Sequence, residues 1–303
     1  MPRHRIPGFR VAFLTADDLT GYVADDHMAA TALRDRGHDV RFVSWRDGST
    51  DWSRFDGVVI RTTWDYHREP ARFLAALERI DRATCLANPL DLVRWNHRKT
   101  YLGELAALGV AVPSTLWLDR LRPGGLGRLF DRLHSDPIVL KPVIGASGED
   151  TFRIARSEAA GREAVMLRIL GDRAVMAQPF IESVLDPGEW GVVYIAGQRS
   201  HAVIKTAAPG EYRVQEEHGG DVRAAEPEAA LLELADRAVR WIDPAPLYAR
   251  VDLLRDAGGG WLVTELELIE PALYLRTVDG AAARFADAVE SWLVAPAAAA
   301  GER

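Results

Sequence analysis

The chain has 303 residues, enough for two or three subdomains with apolar cores of their own. Hydrophobic residues make up 48% and charged residues 27%, and a net charge of −7 without a long basic block argues against nucleic acid or an anionic membrane as partner. A single cysteine, Cys85, excludes an internal disulfide framework; with no apolar run of membrane-spanning length and no apolar signal core near Met1, a cytoplasmic setting is expected.

Arg10–Thr15 reads as a short buried strand, 24–36 as a helix closed by Gly37, 39–45 and 55–61 as strands, and 70–82 as a helix. Strands alternating with helices predict a parallel α/β sheet. No glycine fingerprint follows the first strand, which argues against a dinucleotide site there. The third strand runs into Arg61-Thr-Thr-Trp-Asp-Tyr-His67. Ligands of open α/β sheets sit beyond the carboxyl ends of strands, so Arg61, Asp65 and Tyr66 are candidates for holding a small polar substrate, with the arginine fork suited to a carboxylate. A loop held by local salt bridges around a packed Trp64 accounts for the same residues equally well.

Asn88-Pro89 marks a break, and 92–108 reads as one helix carrying Lys99, which by itself looks like a surface lysine. Val112-Pro113 opens a new unit. Residues 137–154 then read as strand, glycine-containing loop, strand. Lys141 stands in an apolar strand and needs an anion or a route to solvent. Gly145-Ala146-Ser147-Gly148 offers main-chain N–H groups with little bulk, which suits closing over phosphates, although a plain hairpin turn explains it too. It is not a P-loop, since no Gly-Lys-Ser/Thr ending or helix follows.

Residues 157–170 read as helix, 175–182 as a strand entering a connector, and 187–195 and 200–206 as strands turning at Gly197. Lys205 shares a face with His201 and Val203. A polar loop over 210–220 carries Arg213, an amphipathic helix covers 227–242, a last helix covers 279–294, and the alanine-rich tail reads as frayed.

The most informative stretch is 248–268, two Val- and Leu-rich runs around Asp256-Ala-Gly-Gly-Gly260. With the turn centred between Gly258 and Gly259, Asp252 lies opposite Glu265 and Arg250 opposite Glu267. Alternation then puts Asp252, Glu265 and Glu267 on one face. Opposed carboxylates ~5 Å apart repel by roughly 3 kcal/mol at an effective dielectric of 20. A hard divalent cation such as Mg²⁺ removes the objection. The plainer alternative is a solvated face on which Arg250 pairs with Glu267.

This ordered set resembles the ATP-grasp superfamily across nearly the whole chain. The resemblance implies an α/β (α+β) architecture: an N-terminal α/β domain over 1–97, a lid subdomain over 98–182, a C-terminal subdomain with the metal site over 183–296, and a tail over 297–303. It implies ATP and two Mg²⁺ ions as cofactors. Lys99, Lys141 and the loop from Gly145 to Gly148 would take the phosphates, Gln178, Phe180 and Ile181 the adenine, and Glu182 or Glu189 the ribose. Lys205 and Arg213 would stabilise the transferred phosphoryl group and a substrate carboxylate, and Asp252, Glu265 and Glu267 would hold magnesium. A substrate amino group could meet Asp65 or Glu270, though Glu270 before Pro271 fits a simple strand end as well. Many relatives have Asn where Glu267 stands and Arg where Lys205 stands; neither change removes the chemistry. Within the superfamily, Arg61-Thr-Thr-Trp-Asp-Tyr66, Arg94-Trp-Asn96 and Glu265-Leu-Glu-Leu-Ile-Glu-Pro271 resemble a small stand-alone group, the cyclo-ligases that close O-ureido-serine to cycloserine and relatives of unassigned substrate. The implied activity is ADP-forming C–N ligation through an acyl phosphate on a small amino-acid-like substrate, with a homodimer compatible. An intermolecular carboxylate–amine ligase, a non-catalytic nucleotide-binding module and a nucleotide-free metabolite binder are the rival readings.

Overall fold

The computed structural model describes residues 8–301, with side chains described as far as Val294. Residues 1–7, on which the expectation of no signal core rests, and the last two of the expected tail lie outside the described residues. The first unit is β1 (Arg10–Thr15), α1 (Asp26–Asp35), β2 (Asp39–Ser44), β3 (Gly57–Thr62), α2 (Pro70–Ala83) and β4 (Cys85–Ala87). Its four strands are parallel in the order β2-β1-β3-β4, as the alternation predicts. β3 is buried along its whole length, so its carboxyl end delivers Arg61 into the interior.

The single helix expected over 92–108 is two, α3 (Leu90–Asn96) and α4 (Tyr101–Ala107). The main-chain N–H of Lys99 donates to the Val143 carbonyl at 2.9 Å. That bond replaces an intrahelical one, breaks the helix and fixes Lys99 beside the next sheet. This second sheet is antiparallel, built from β5 (Leu116–Leu118), β6 (Ile138–Pro142), β7 (Phe152–Ile154) and β8 (Val175–Pro179) in the order β5-β8-β6-β7. It is covered by α5 (Leu126–Leu133), which the sequence reading missed, and α6 (Ala159–Leu170).

The third sheet is antiparallel with five strands: β9 (Glu189–Ile195), β10 (Gln198–Thr206), β11 (Asp221–Ala224), then, after α7 (Ala229–Val239), β12 (Tyr248–Arg255) and β13 (Trp261–Glu267). Its order is β11-β10-β9-β12-β13. The hairpin register holds where it matters, with Asp252 opposite Glu265 and Arg250 opposite Glu267. The route differs from the one expected. Nearer the turn the pairs are Leu253 with Val263 and Arg255 with Trp261, so the turn is one residue tighter, and a bulge beside Asp252 restores the acidic pairing. The last helix, α8 (Ala281–Gly301), runs beyond residue 294, where the sequence pattern stops. Phe285 and Val289 on α8 join Val11 and Phe13 of the first sheet to Val193 and Tyr248 of the third in one core.

Candidate active site

The acidic face of the β12–β13 hairpin is not bare. Lys205 Nζ lies 2.7 Å from Glu189 and 2.9 Å from Asp252. Arg250 forks onto Asp252, with Nε and Nη2 each at 2.9 Å, and also donates to Glu267. Lys99, which by itself reads as a surface lysine, donates to Glu265. Lys205, Arg250 and Asp252 are buried, so the Arg250–Glu267 pair exists but belongs to an interior network rather than a surface. Burial opposes charge on Lys99 and Lys205, yet the facing carboxylates outweigh it and hold both lysines above their ordinary range. Glu267 behaves oppositely: burial, with Asp252 and Glu265 nearby, pushes it up to about 7 despite Arg250.

This face is the floor of a cleft whose wall comes from the second sheet. Lys141 projects into it from β6 with no acid within salt-bridge distance among the described residues, and burial holds it below its ordinary range. The loop from Gly145 to Gly148 lies across the cleft with Ser147 and Gly148 both left-handed, at φ 53° and 63°. A Cβ on Gly148 would sit 3.1 Å from Gln215 Oε1 and 3.3 Å from Arg213 Cδ, so this glycine lets the loop touch the 210–220 segment. Glu149, which the sequence reading passed over, ties the same loop to the first unit by accepting from His67 and Arg68, each at 2.9 Å. Arg213 lines the cleft and donates to Glu211 at 2.6 Å, while its Nε is buried without a partner. Gln178, Phe180 and Ile181 line the cleft; the Gln178 amide is committed to Thr115 at 2.9 Å. Of the two acids left open, Glu189 lines the cleft, whereas Glu182 is exposed outside it.

Tyr66 and Glu270 also line the cleft, but Arg61 and Asp65 do not. Asp65 accepts from the Trp45 indole at 2.8 Å and from Arg46, the local salt-bridge alternative. Arg61 is buried, pairs with Asp26, and donates to the Pro271 carbonyl at 2.9 Å. The fork that suited a substrate carboxylate is thus spent on the fold. It belongs to a larger pattern, for six successive carbonyls from Leu268 to Leu273 each accept from a side chain: Asn88, Tyr248, Trp64, Arg61, Arg250 and His201 in turn. β13 is an edge strand, and its exit would otherwise leave these groups unpaired. Asn96 adds two bonds, to the Leu266 carbonyl and from the Leu268 N–H. Arg250 and Tyr274, both lining the cleft, were not singled out as site residues from sequence. Burial and Glu267 together hold the Glu270 carboxyl well above the carboxylate range.

Among the described residues no three His, Cys, Asp or Glu side chains form a metal-holding group, because the acids of this face turn oxygens toward lysine and arginine. The donor chemistry nevertheless fits magnesium. Glu265 and Glu267 each bind a cation through Oε1 only, and both line the cleft.

A sheet-bounded cleft with a glycine-containing flap on one side and a buried acid–lysine network on the other defines an ATP-grasp ligase. Residues 127–243 match the family model of the prokaryotic glutathione synthetase ATP-grasp domain, and residues 11–88 match that of the D-cycloserine synthetase DcsG N-terminal domain. The chain is 36% identical over 277 residues to the cycloserine biosynthesis protein DcsG of Streptomyces lavendulae, covering 85% of this chain and 90% of that protein. The crystal structure of D-cycloserine synthetase DcsG superposes with a TM-score of 0.82 at 32% identity, covering 94% of this chain and 99% of the other. A RimK domain ATP-grasp protein from Sphaerobacter thermophilus shares the fold, with a TM-score of 0.66 at 21% identity over 93% of this chain and 99% of the other. The chain belongs to the ATP-grasp ligases, in the group of DcsG, and is an ATP-dependent, ADP-forming, C–N bond-forming enzyme. No helix among the described residues is long and apolar enough to cross a membrane.

Proposed function

We propose that the enzyme closes a ring within one small amino-acid-like molecule, converting O-ureido-serine to cycloserine. A carboxylate oxygen of the substrate attacks the γ-phosphorus of ATP, and ADP leaves. The ureido nitrogen attacks the resulting acyl carbon, and phosphate departs with the bridging oxygen. The carbamoyl group is then lost as isocyanic acid, its N–H proton passing to the ring nitrogen, which leaves cycloserine. Tethering the nucleophile is worth roughly 7–11 kcal/mol of barrier, so no second substrate need be gripped.

The observation supporting this reading is the reach of the likeness. It extends over residues 11–88, the unit that brings Tyr22, Trp64 and Tyr66 to the cleft opposite the lysines. Lys99 and Lys141 receive phosphate oxygens, Lys99 exchanging Glu265 for them. The main-chain N–H groups of 145–148 close over the phosphates and exclude water. With the Gln178 amide held by Thr115, adenine is read by main-chain groups of the connector through Ile181, and Glu189 serves the ribose. Lys205 and Arg213 offset charge on the transferred group and the carboxylate. Asp252, Glu265 and Glu267 hold two magnesium ions, which supply further charge neutralisation at the phosphates. The proposed setting is the cytoplasm, with a homodimer to be sought by light scattering.

Mass spectrometry tests the reading. Enzyme, MgATP and either enantiomer of O-ureido-serine, with no added amine, should give the ring product and one ADP per ring. ADP release only when an acid and a separate amine are supplied would replace it with an intermolecular ligase.

A further inference from the structure

Among the described residues the buried acids are Asp25, Asp26, Asp252 and Glu270. Three have a cation of their own: Arg276 for Asp25, Arg61 for Asp26, and Arg250 with Lys205 for Asp252. Glu270, at 9% exposure, has no basic partner and no side-chain hydrogen bond among the described residues, yet it lines the cleft. A carboxyl removed from water in this way is costly unless something completes it. Its main chain is not free to move toward a partner, because the carbonyls on both sides of it, and its own, are pinned by Tyr248, Trp64 and Arg61. Two further polar groups line the same cleft, Tyr66 with Glu270 as its first charged neighbour and Tyr274 beneath Arg250. Tyr66 and Tyr274 are 4% and 6% exposed, and neither hydroxyl has a protein partner among the described residues. Tyr274 is held in the left-handed region at φ 48°, a conformation a bulky residue adopts only under constraint.

We propose that Glu270 is the seat of the substrate's ammonium group, so that the ligand supplies the one cation this buried acid lacks. The hydroxyls of Tyr66 and Tyr274 complete the seat with neutral acceptors. The carboxylate to be phosphorylated faces Lys205, which pairs with Glu189 and Asp252 and not with Glu270. The seat selects α-amino acids over their desamino counterparts and fixes which end of a zwitterion meets the nucleotide. It rests on the ring-closing reading for the identity of the substrate, but not for the class of group bound.

The experiment compares O-ureido-serine with its desamino analogue, 3-(ureidooxy)propanoate, in the full-length enzyme with MgATP. The parent should prefer the amino substrate at least 100-fold in kcat/KM, and in Glu270→Gln that preference should collapse to within about threefold of unity, mainly through KM. Glu270→Asp should recover part of it, and the Kd for ADP should stay within about twofold in both variants. A parent ratio near one, or equal losses on both substrates in Glu270→Gln, overturns the proposal. Calorimetric titration of the parent with serine and with 3-hydroxypropanoate gives an answer that needs no variant and no turnover. Tighter binding of serine supports the seat, and equal binding removes it. Absence of ring product in the parent, with serine still preferred, would overturn the ring closure and leave the seat standing.

Discussion

The indole Nε1 of Trp64 donates to the main-chain carbonyl of Glu270 at 2.9 Å, joining the loop after the third strand of the parallel sheet to the exit of the acidic hairpin. The two residues are 206 positions apart in sequence. Through this bond the first unit fixes the backbone of Glu270, which lines the cleft.

Trp64→Phe keeps most of the buried ring and deletes the donor. Leaving a buried carbonyl unsatisfied costs about 1–3 kcal/mol. The melting temperature should fall by a few degrees, and KM for the amino-acid substrate should rise several-fold while KM for ATP changes little. Thermal denaturation with steady-state kinetics checks both; a parallel rise in the two KM values would contradict the role given to Trp64.

Asp252→Asn should reduce turnover by orders of magnitude. It should also destabilise the ligand-free protein, because Arg250 and Lys205 lose a buried partner. Breaking such a pair costs on the order of 3–5 kcal/mol. ADP release and urea denaturation measure the two effects. Near-parental ADP release would remove Asp252 from the reaction.

Glu267 gives a pH signature in metal-free buffer. Its folded-state value, about 7, lies above the ordinary 4.5, so the folded protein holds this proton more tightly than the unfolded chain. The associated stability is present below pH 4.5 and is lost as pH rises through about 7. With EDTA present, the melting temperature should decline between pH 5 and 8, and Glu267→Gln should flatten the decline. Added Mg²⁺ should restore stability at pH 8 in the parent and less so in the variant. A slope unchanged by Glu267→Gln would assign the decline to another group.

Lys141 and the flap form a fourth test. Lys141→Ala should weaken nucleotide binding at least tenfold, about 1.4 kcal/mol. MgATP should protect residues 145–150 from proteolysis. Ser147 stands at φ 53°, which proline cannot reach, so Ser147→Pro should destroy the closed flap while Ser147→Gly preserves it. Unchanged cleavage under saturating nucleotide would argue against a closing flap.

The sequence made the parallel sheet legible because its strands and helices are long enough to show their periods. It hid β4, β5 and β11, which are three or four residues long, and α5, whose eight residues make barely two turns. The acidic register was legible from alternation, although the bulge that delivers it was not. Arg61 and Asp65 misled because exposure cannot be read from a motif: both sit at a strand's carboxyl end, but their charges are met by Asp26 and by Arg46. Lys99 by itself reads as a surface lysine because the acid it meets lies 166 residues away. Asn88 read only as a break before proline; its left-handed backbone places an amide that bonds the Tyr248 and Leu268 carbonyls.

The most direct test of acyl-phosphate ring closure follows an oxygen. O-ureido-serine labelled with ¹⁸O in both carboxylate positions, converted with unlabelled MgATP, should give inorganic phosphate carrying one ¹⁸O per ring formed, because the carboxylate oxygen that attacks phosphorus leaves with it. Ring product accompanied by unlabelled phosphate would show that ATP is cleaved by water rather than by the carboxylate, and would contradict the mechanism.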